Sequence, residues 1–183
     1  MSDRLFFALW PDHAQIQALR ARVAPIVDSV EGKPQRPDQW HVTLEFMGQV
    51  PRERQPALGA AASRVRPSSL AIEFDRVEHW RKPQVVCLVA SHVPAGLAAL
   101  VTQLHAALAE EGFALDPRPF RPHLTLARKV RAAADSLLDP PFVWQSRGFA
   151  LVRSVTDPAG SRYEPLCWWN HAVEGGGETG DSR

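Results

Sequence analysis

The tetrapeptide His-x-Thr-Leu occurs twice in this chain, at His41–Leu44 and His123–Leu126, 82 residues apart. The sequence holds seven histidines and five threonines, so even one chance His-x-Thr is uncommon. Two copies with the same following leucine constrain the fold strongly. In an extended chain, residues i and i+2 point to one face. His41 and Thr43 therefore project together while Val42 and Leu44 enter the layer behind; His123, Thr125, Leu124 and Leu126 repeat the pattern. Two strands built alike ask for two halves built alike, meeting where the histidines face each other.

The remaining pattern supplies those halves. Residues 4–10 read as a strand stopped by Pro11. Asp12 is placed to cap a helix carried by Ile16, Leu19, Val23, Ile26 and Val27, which Pro25 should kink or end. A Gly-, Lys- and Pro-containing loop (32–38) leads to the first motif strand at 40–47. A second helix is expected over 52–66, an alternating strand from Leu70 through Phe74, and a buried strand at 85–90. Residues 95–111 carry an apolar stripe of helical period, ended by Gly112. The second motif strand follows at 122–128, then strands near 148–154 and 162–169. Each half thus offers a helix and a motif strand. The expected fold is α+β and bilobal with a pseudo-twofold: two mostly antiparallel sheets, helices packed outside, and a central cleft. One domain should cover residues 1–171, with a disordered tail at 172–183, where Gly and charge leave nothing to bury.

Composition removes several classes of function. With 45% apolar and 22% charged residues the chain resembles an ordinary soluble globule. A net charge of +1 does not suit wrapping of a duplex, so any nucleic acid is held locally, at an end or a few phosphates. No segment approaches the length of a membrane helix, and the first apolar run is too short for a signal sequence. Cys87 and Cys167 lie far apart in apolar runs, which predicts core thiols in a reducing cytoplasm rather than a zinc site or redox pair.

Two imidazoles titrating near neutrality can serve as a general acid and a general base. Neighbouring hydroxyls can donate to phosphoryl oxygens, where transition-state charge gathers. A phosphodiester, above all a cyclic one, needs that acid and base on opposite sides of phosphorus. A zinc-dependent hydrolase is a weaker reading, since zinc takes three or four protein ligands and the motifs supply His41 and His123 alone. A non-catalytic module that binds RNA termini or nucleotides would not need an acid–base pair. Arg128 is a candidate phosphate clamp, although strict alternation puts it on the face opposite His123. Phe7 is a candidate stacking surface for a base, though strand phenylalanines are more often core. Arg118 and Arg121 are either solvated loop charges or guides for RNA. His79, His92 and His105 read as structural, and His13 and His171 as surface residues.

The segments LFFALWP, WHVTLEFMGQVP, PFRPHLTLAR and YEPLCWW, in this order and spacing, resemble the bacterial and archaeal RNA 2′,3′-cyclic phosphodiesterases. These are also called 2′-5′ RNA ligases and belong to the two-histidine (2H) phosphoesterase superfamily. The resemblance runs from about residue 4 to residue 170. It implies hydrolysis of RNA 2′,3′-cyclic phosphate ends, or of cyclic nucleotides, to 2′-phosphates without metal or other cofactor. It also implies reversible 2′-5′ ligation at the same site. By the same resemblance His41 is the proton donor to the leaving 3′-oxygen and His123 activates water, while Thr43, Thr125 and Arg128 hold the phosphate. A cytoplasmic monomer is expected.

Overall fold

The computed structural model describes residues 1–157 and 160–170; the tail and His171 lie outside them. In chain order the elements are β1 (Ser2–Leu9), α1 (His13–Asp28), β2 (Lys33–Pro34), β3 (Val42–Pro51), α2 (Gln55–Ser63), β4 (Leu70–Trp80), β5 (Val85–Val89), α3 (Ala95–Glu110), β6 (His123–Arg128), β7 (Ser136–Ser146), β8 (Gly148–Asp157) and β9 (Gly160–Asn170). Single 3₁₀ turns at Pro37–Gln39 and Arg52–Arg54 precede β3 and α2.

The strands form two sheets, one in the order β3-β1-β8-β9 and the other β2-β6-β5-β4-β7. Every pairing is antiparallel. Leaving aside the two-residue β2, the orders correspond: each sheet starts with a motif strand, beside the strand that precedes the crossing helix. The expected duplication is therefore present in the topology, β1-α1-β3 answering β5-α3-β6.

The two continuous apolar runs hold equivalent places. β1 is inner and buried on both faces, with Leu5, Phe7 and Leu9 in the main core and Phe6 and Ala8 toward the cleft. β5 likewise turns Val86 and Leu88 to the core and Val85, Cys87 and Val89 to the cleft side. A strand covered on both faces has no polar side to show, so alternation disappears from its sequence. α1 lies against β6 and β7, whereas α2 and α3 pack on each other and against β9 and β3. Each crossing helix therefore pads the sheet opposite its own motif strand, and one contiguous core joins both lobes.

Several local expectations change. Pro25 does not end α1, which runs on to Asp28 and closes where the Ser29 N–H and hydroxyl donate to the Ile26 carbonyl. Asp12 caps its start, accepting from Gln15 N–H at 2.8 Å. β7 was not legible because it contains Pro140 and Pro141. It is an edge strand, and its register jumps between Phe142 and Leu137, so the prolines fall in an irregularity that needs no ladder donor. Cys87 is buried as expected, but Cys167, on the edge strand β9, is exposed.

Candidate active site

Both motif strands bulge at the same position. Against β1, Thr43 stands opposite Ala8 and Glu45 opposite Phe7, leaving Leu44 as the extra residue. Against β5, Thr125 stands opposite Cys87 and Ala127 opposite Val86, leaving Leu126 extra. An extra residue inverts the alternation beyond it. Glu45 and Ala127 therefore turn to the core, while Phe46 and Arg128 return to the face of their histidine and threonine. The bulge is what brings Arg128 into the cleft, opposite Val85. In the first motif the equivalent place is filled by Phe46.

A cavity of about 450 Å³ lies between the sheets, lined by His41, Thr43, His123, Thr125 and Arg128 together. A second recess of about 330 Å³ opens beside His41, between Arg4, Phe46, Arg128 and Tyr163. The two copies of the motif thus converge on one space.

The histidines are held alike. His41 Nδ1–H donates to the Gln39 carbonyl at 2.7 Å, and His123 Nδ1–H to the Arg121 carbonyl at 2.8 Å. A carbonyl only accepts, so each ring keeps its proton on Nδ1 when neutral and leaves Nε2 as the exchanging atom. Each ring also has an aromatic wall. Trp10 stacks on His41 at 5.2 Å and an interplanar angle of 7°, with Phe6 at 5.0 Å and Tyr163 edge-on at 5.1 Å. Trp80 lies 4.6 Å from His123.

Burial behind these rings disfavours the charged imidazole. It brings His41 down to about 4, with the charges of Arg128 and His123 adding to the effect and the Gln39 carbonyl opposing it. His123 is lowered too, by burial first and then by Arg121 and Arg128, against its own carbonyl partner. Both histidines are therefore neutral at neutral pH.

The cleft arginines differ in how their charge is met. Arg118 pairs with Asp116, and Arg121 with Glu78 at 2.5 Å. Arg128 has no carboxylate in ion-pair reach among the described residues; its Nε–H donates to the neutral side-chain amide of Gln35 at 3.1 Å. An uncompensated guanidinium beside two neutral imidazoles and two hydroxyls has the chemistry to hold an anion. Thr125 Oγ1 lies 3.8 Å from Cys87 Sγ, whose thiol burial pushes up to about 11, so that sulfur is no nucleophile at neutral pH.

Phe7 does not reach the cleft and is corrected as a substrate contact. It is 0% exposed and packs on Phe149 and Trp169 in the core; its neighbour Phe6 is the one beside His41. His105 is more than a packed residue, since it lines the cleft and meets the buried Glu45 at 2.7 Å. His79 is structural, its Nε2–H donating to the Val130 carbonyl. Trp10 and Tyr163 lie in segments that carry the family resemblance but were not singled out as site residues, and Trp80 lies outside those segments. Among the described residues no three His, Cys, Asp or Glu side chains come together as a metal site.

The model of LigT-like phosphoesterases matches this chain twice, over residues 9–87 and 88–163, one His-x-Thr strand in each. The chain belongs to that family. Among its relatives, the RNA 2′,3′-cyclic phosphodiesterase of Escherichia coli is 32% identical over 170 residues, which cover 91% of this chain and 96% of that protein. The protein of the same name from Thermus thermophilus is 33% identical, covering 89% of this chain and 87% of its own length. The crystal structure of E. coli LigT complexed with 3′-AMP superposes with a TM-score of 0.82 at 29% identity, covering 93% of this chain and 98% of that one. The bilobal architecture of this LigT-like phosphoesterase is thus shared over nearly its whole described length.

Proposed function

We propose that this LigT-like phosphoesterase hydrolyses the 2′,3′-cyclic phosphate ends of RNA, or cyclic nucleotides, to 2′-phosphates. The observation that carries the reading is the cleft itself: two imidazoles with free Nε2 atoms, two hydroxyls and one uncompensated guanidinium line a single cavity. The names of its relatives point the same way.

In the proposed reaction Arg128 and the hydroxyls of Thr43 and Thr125 donate to the non-bridging phosphate oxygens. His123 Nε2 takes a proton from water as its oxygen bonds to phosphorus. The bond from phosphorus to the 3′-oxygen breaks, and that oxygen takes a proton from His41 Nε2. The acid must be charged, and the anionic phosphate is what makes it so, because it sits against a ring whose charge burial otherwise disfavours. With a 5′-hydroxyl in place of water, the same steps would form a 2′-5′ linkage. One chain supplies both motifs, so the reading carries a monomer, with residues 1–171 acting as one two-lobed unit. The unpaired Cys87 and Cys167 suit a reducing cytoplasm; no helix of the described residues is long and apolar enough to cross a membrane.

His41→Ala and His123→Ala test the assignment. Each should lower turnover of a 2′,3′-cyclic nucleotide by on the order of 10²–10⁴, in the presence of chelator, with the fold retained by circular dichroism. Turnover within about threefold of the parent in both variants, well below what loss of a general acid or base costs, would refute it.

A further inference from the structure

The segment between α1 and β3 crosses from one lobe to the other, and it carries two glutamines that are buried at 9% exposure each. Its seat is tight. Lys33 and Pro34 pair with Arg128 and Ala127 as β2, and Gln35 N–H donates to the Leu126 carbonyl at 2.7 Å. A Cβ on Gly32 would stand 2.9 Å from the Arg128 carbonyl oxygen and 2.6 Å from a Val130 methyl, so only glycine lets the segment lie there.

From this seat a chain of side-chain hydrogen bonds runs from Arg128 on β6 to the backbone of β9. Arg128 Nε–H donates to Gln35 Oε1 at 3.1 Å. Gln35 Nε2–H donates to Gln39 Oε1 at 3.0 Å. Gln39 Nε2–H donates to the Ser161 backbone carbonyl on β9, and the Gln39 carbonyl is the acceptor that fixes the His41 tautomer. The chain begins at a guanidinium, which can only donate, and ends at a carbonyl, which can only accept. Neither amide can be turned over without setting like groups against each other, so both orientations are determined. Buried amides are retained where every partner is present; here one end of the chain is Arg128 and the other is the β9 backbone, and the residue held between them, Gln39, carries the carbonyl that holds His41.

We propose that Gln35 is a positioning residue for Arg128, and that the Gln35–Gln39 pair locks the clamp of one motif to the histidine of the other. This rests on the phosphate reading of the cleft. By occupying Nε, Gln35 leaves both terminal nitrogens of Arg128 to face the anion as a fork. By being neutral it does so without cancelling the charge, as a carboxylate there would.

The test is a double-mutant cycle with Gln35→Met, which keeps the volume and removes the amide, and Arg128→Ala. Inorganic phosphate binding by calorimetry and steady-state kinetics on a 2′,3′-cyclic nucleotide are the readouts. Gln35→Met should weaken phosphate and raise KM by about tenfold, the worth of one hydrogen bond to a charged group, with a much smaller change in kcat. In the Arg128→Ala background it should add nothing. The same factor in both backgrounds, or a change under about twofold in the parent, overturns the proposal. Proton exchange of the Arg128 Nε–H, read by NMR and assigned by its loss in Arg128→Ala, gives a check needing no Gln35 variant: it should be slowed in the free protein, and exchange as fast as in a solvated arginine overturns the proposal. The phosphate and exchange measurements decide the matter even for a protein that turns over no cyclic phosphate, the result that would sink the proposed reaction instead.

Discussion

Acidification should destabilise this protein through His41 in a way one substitution reveals. In the unfolded chain this imidazole protonates around its ordinary value of 6.5; in the folded protein it does not do so until about 4. Between those values the unfolded state binds a proton that the native state refuses, so stability falls as pH falls. The full contribution is present above 6.5 and has been lost by about 4. At 1.36 kcal/mol for each pH unit, that interval amounts to about 3 kcal/mol, a large part of the ~5–15 kcal/mol that holds a domain of this size together. Carboxylates titrate toward the lower end of the same window, so the parent alone cannot isolate the effect. His41→Asn can: the Asn side-chain N–H stands near the place of Nδ1 and can still reach the Gln39 carbonyl, but it binds no proton. Urea titrations of both proteins, followed by tryptophan fluorescence from about pH 7 to 4, should show the parent losing about 3 kcal/mol more than the variant. Saturating inorganic phosphate should shrink that difference, because an anion in the cleft favours the charged ring. Parallel stability curves would show that Trp10, Phe6 and Tyr163 do not withhold the proton.

Two further outcomes follow from the same geometry. Arg128→Lys keeps a positive charge but loses the fork and the bond to Gln35, and should raise KM by about tenfold or more while leaving kcat nearer the parent value. In the pH profile of kcat/KM, which reports the free enzyme, both histidines titrate below 6.5; the proposed reaction needs His41 charged and His123 neutral, so kcat/KM should fall about tenfold per pH unit above 6.5, while kcat, with phosphate bound, holds to higher pH.

The centre of the site was legible because it is written twice. His-x-Thr on a strand fixes which face two side chains share, and a second copy fixes what they must meet. The sequence also carried the order of elements, and with it the two like sheets. What it concealed depends on register. Simple alternation sends Arg128 away from His123 and Glu45 toward Thr43; a bulge at Leu126 and another at Leu44 reverse both. No residue type announces those bulges, since the extra residue in each is the leucine that makes the motif look regular. Phe6 and Phe7 are the same letter in a strand buried on both faces, so composition could not say which one borders the cleft. Gln35 and Gln39 carry no signal in the sequence, and their burial appears only once β2 lies against β6. β7 was hidden by the prolines that its edge position tolerates.

The central claim is that the two imidazoles act from opposite sides of one phosphorus, and the position of the phosphate left on the product tests it most directly. Chelator-treated protein should convert a 2′,3′-cyclic nucleotide to the 2′-phosphate alone, with expulsion of the 3′-oxygen beside His41. A mixture of 2′- and 3′-phosphates, or no product until a divalent metal is restored, would contradict the account.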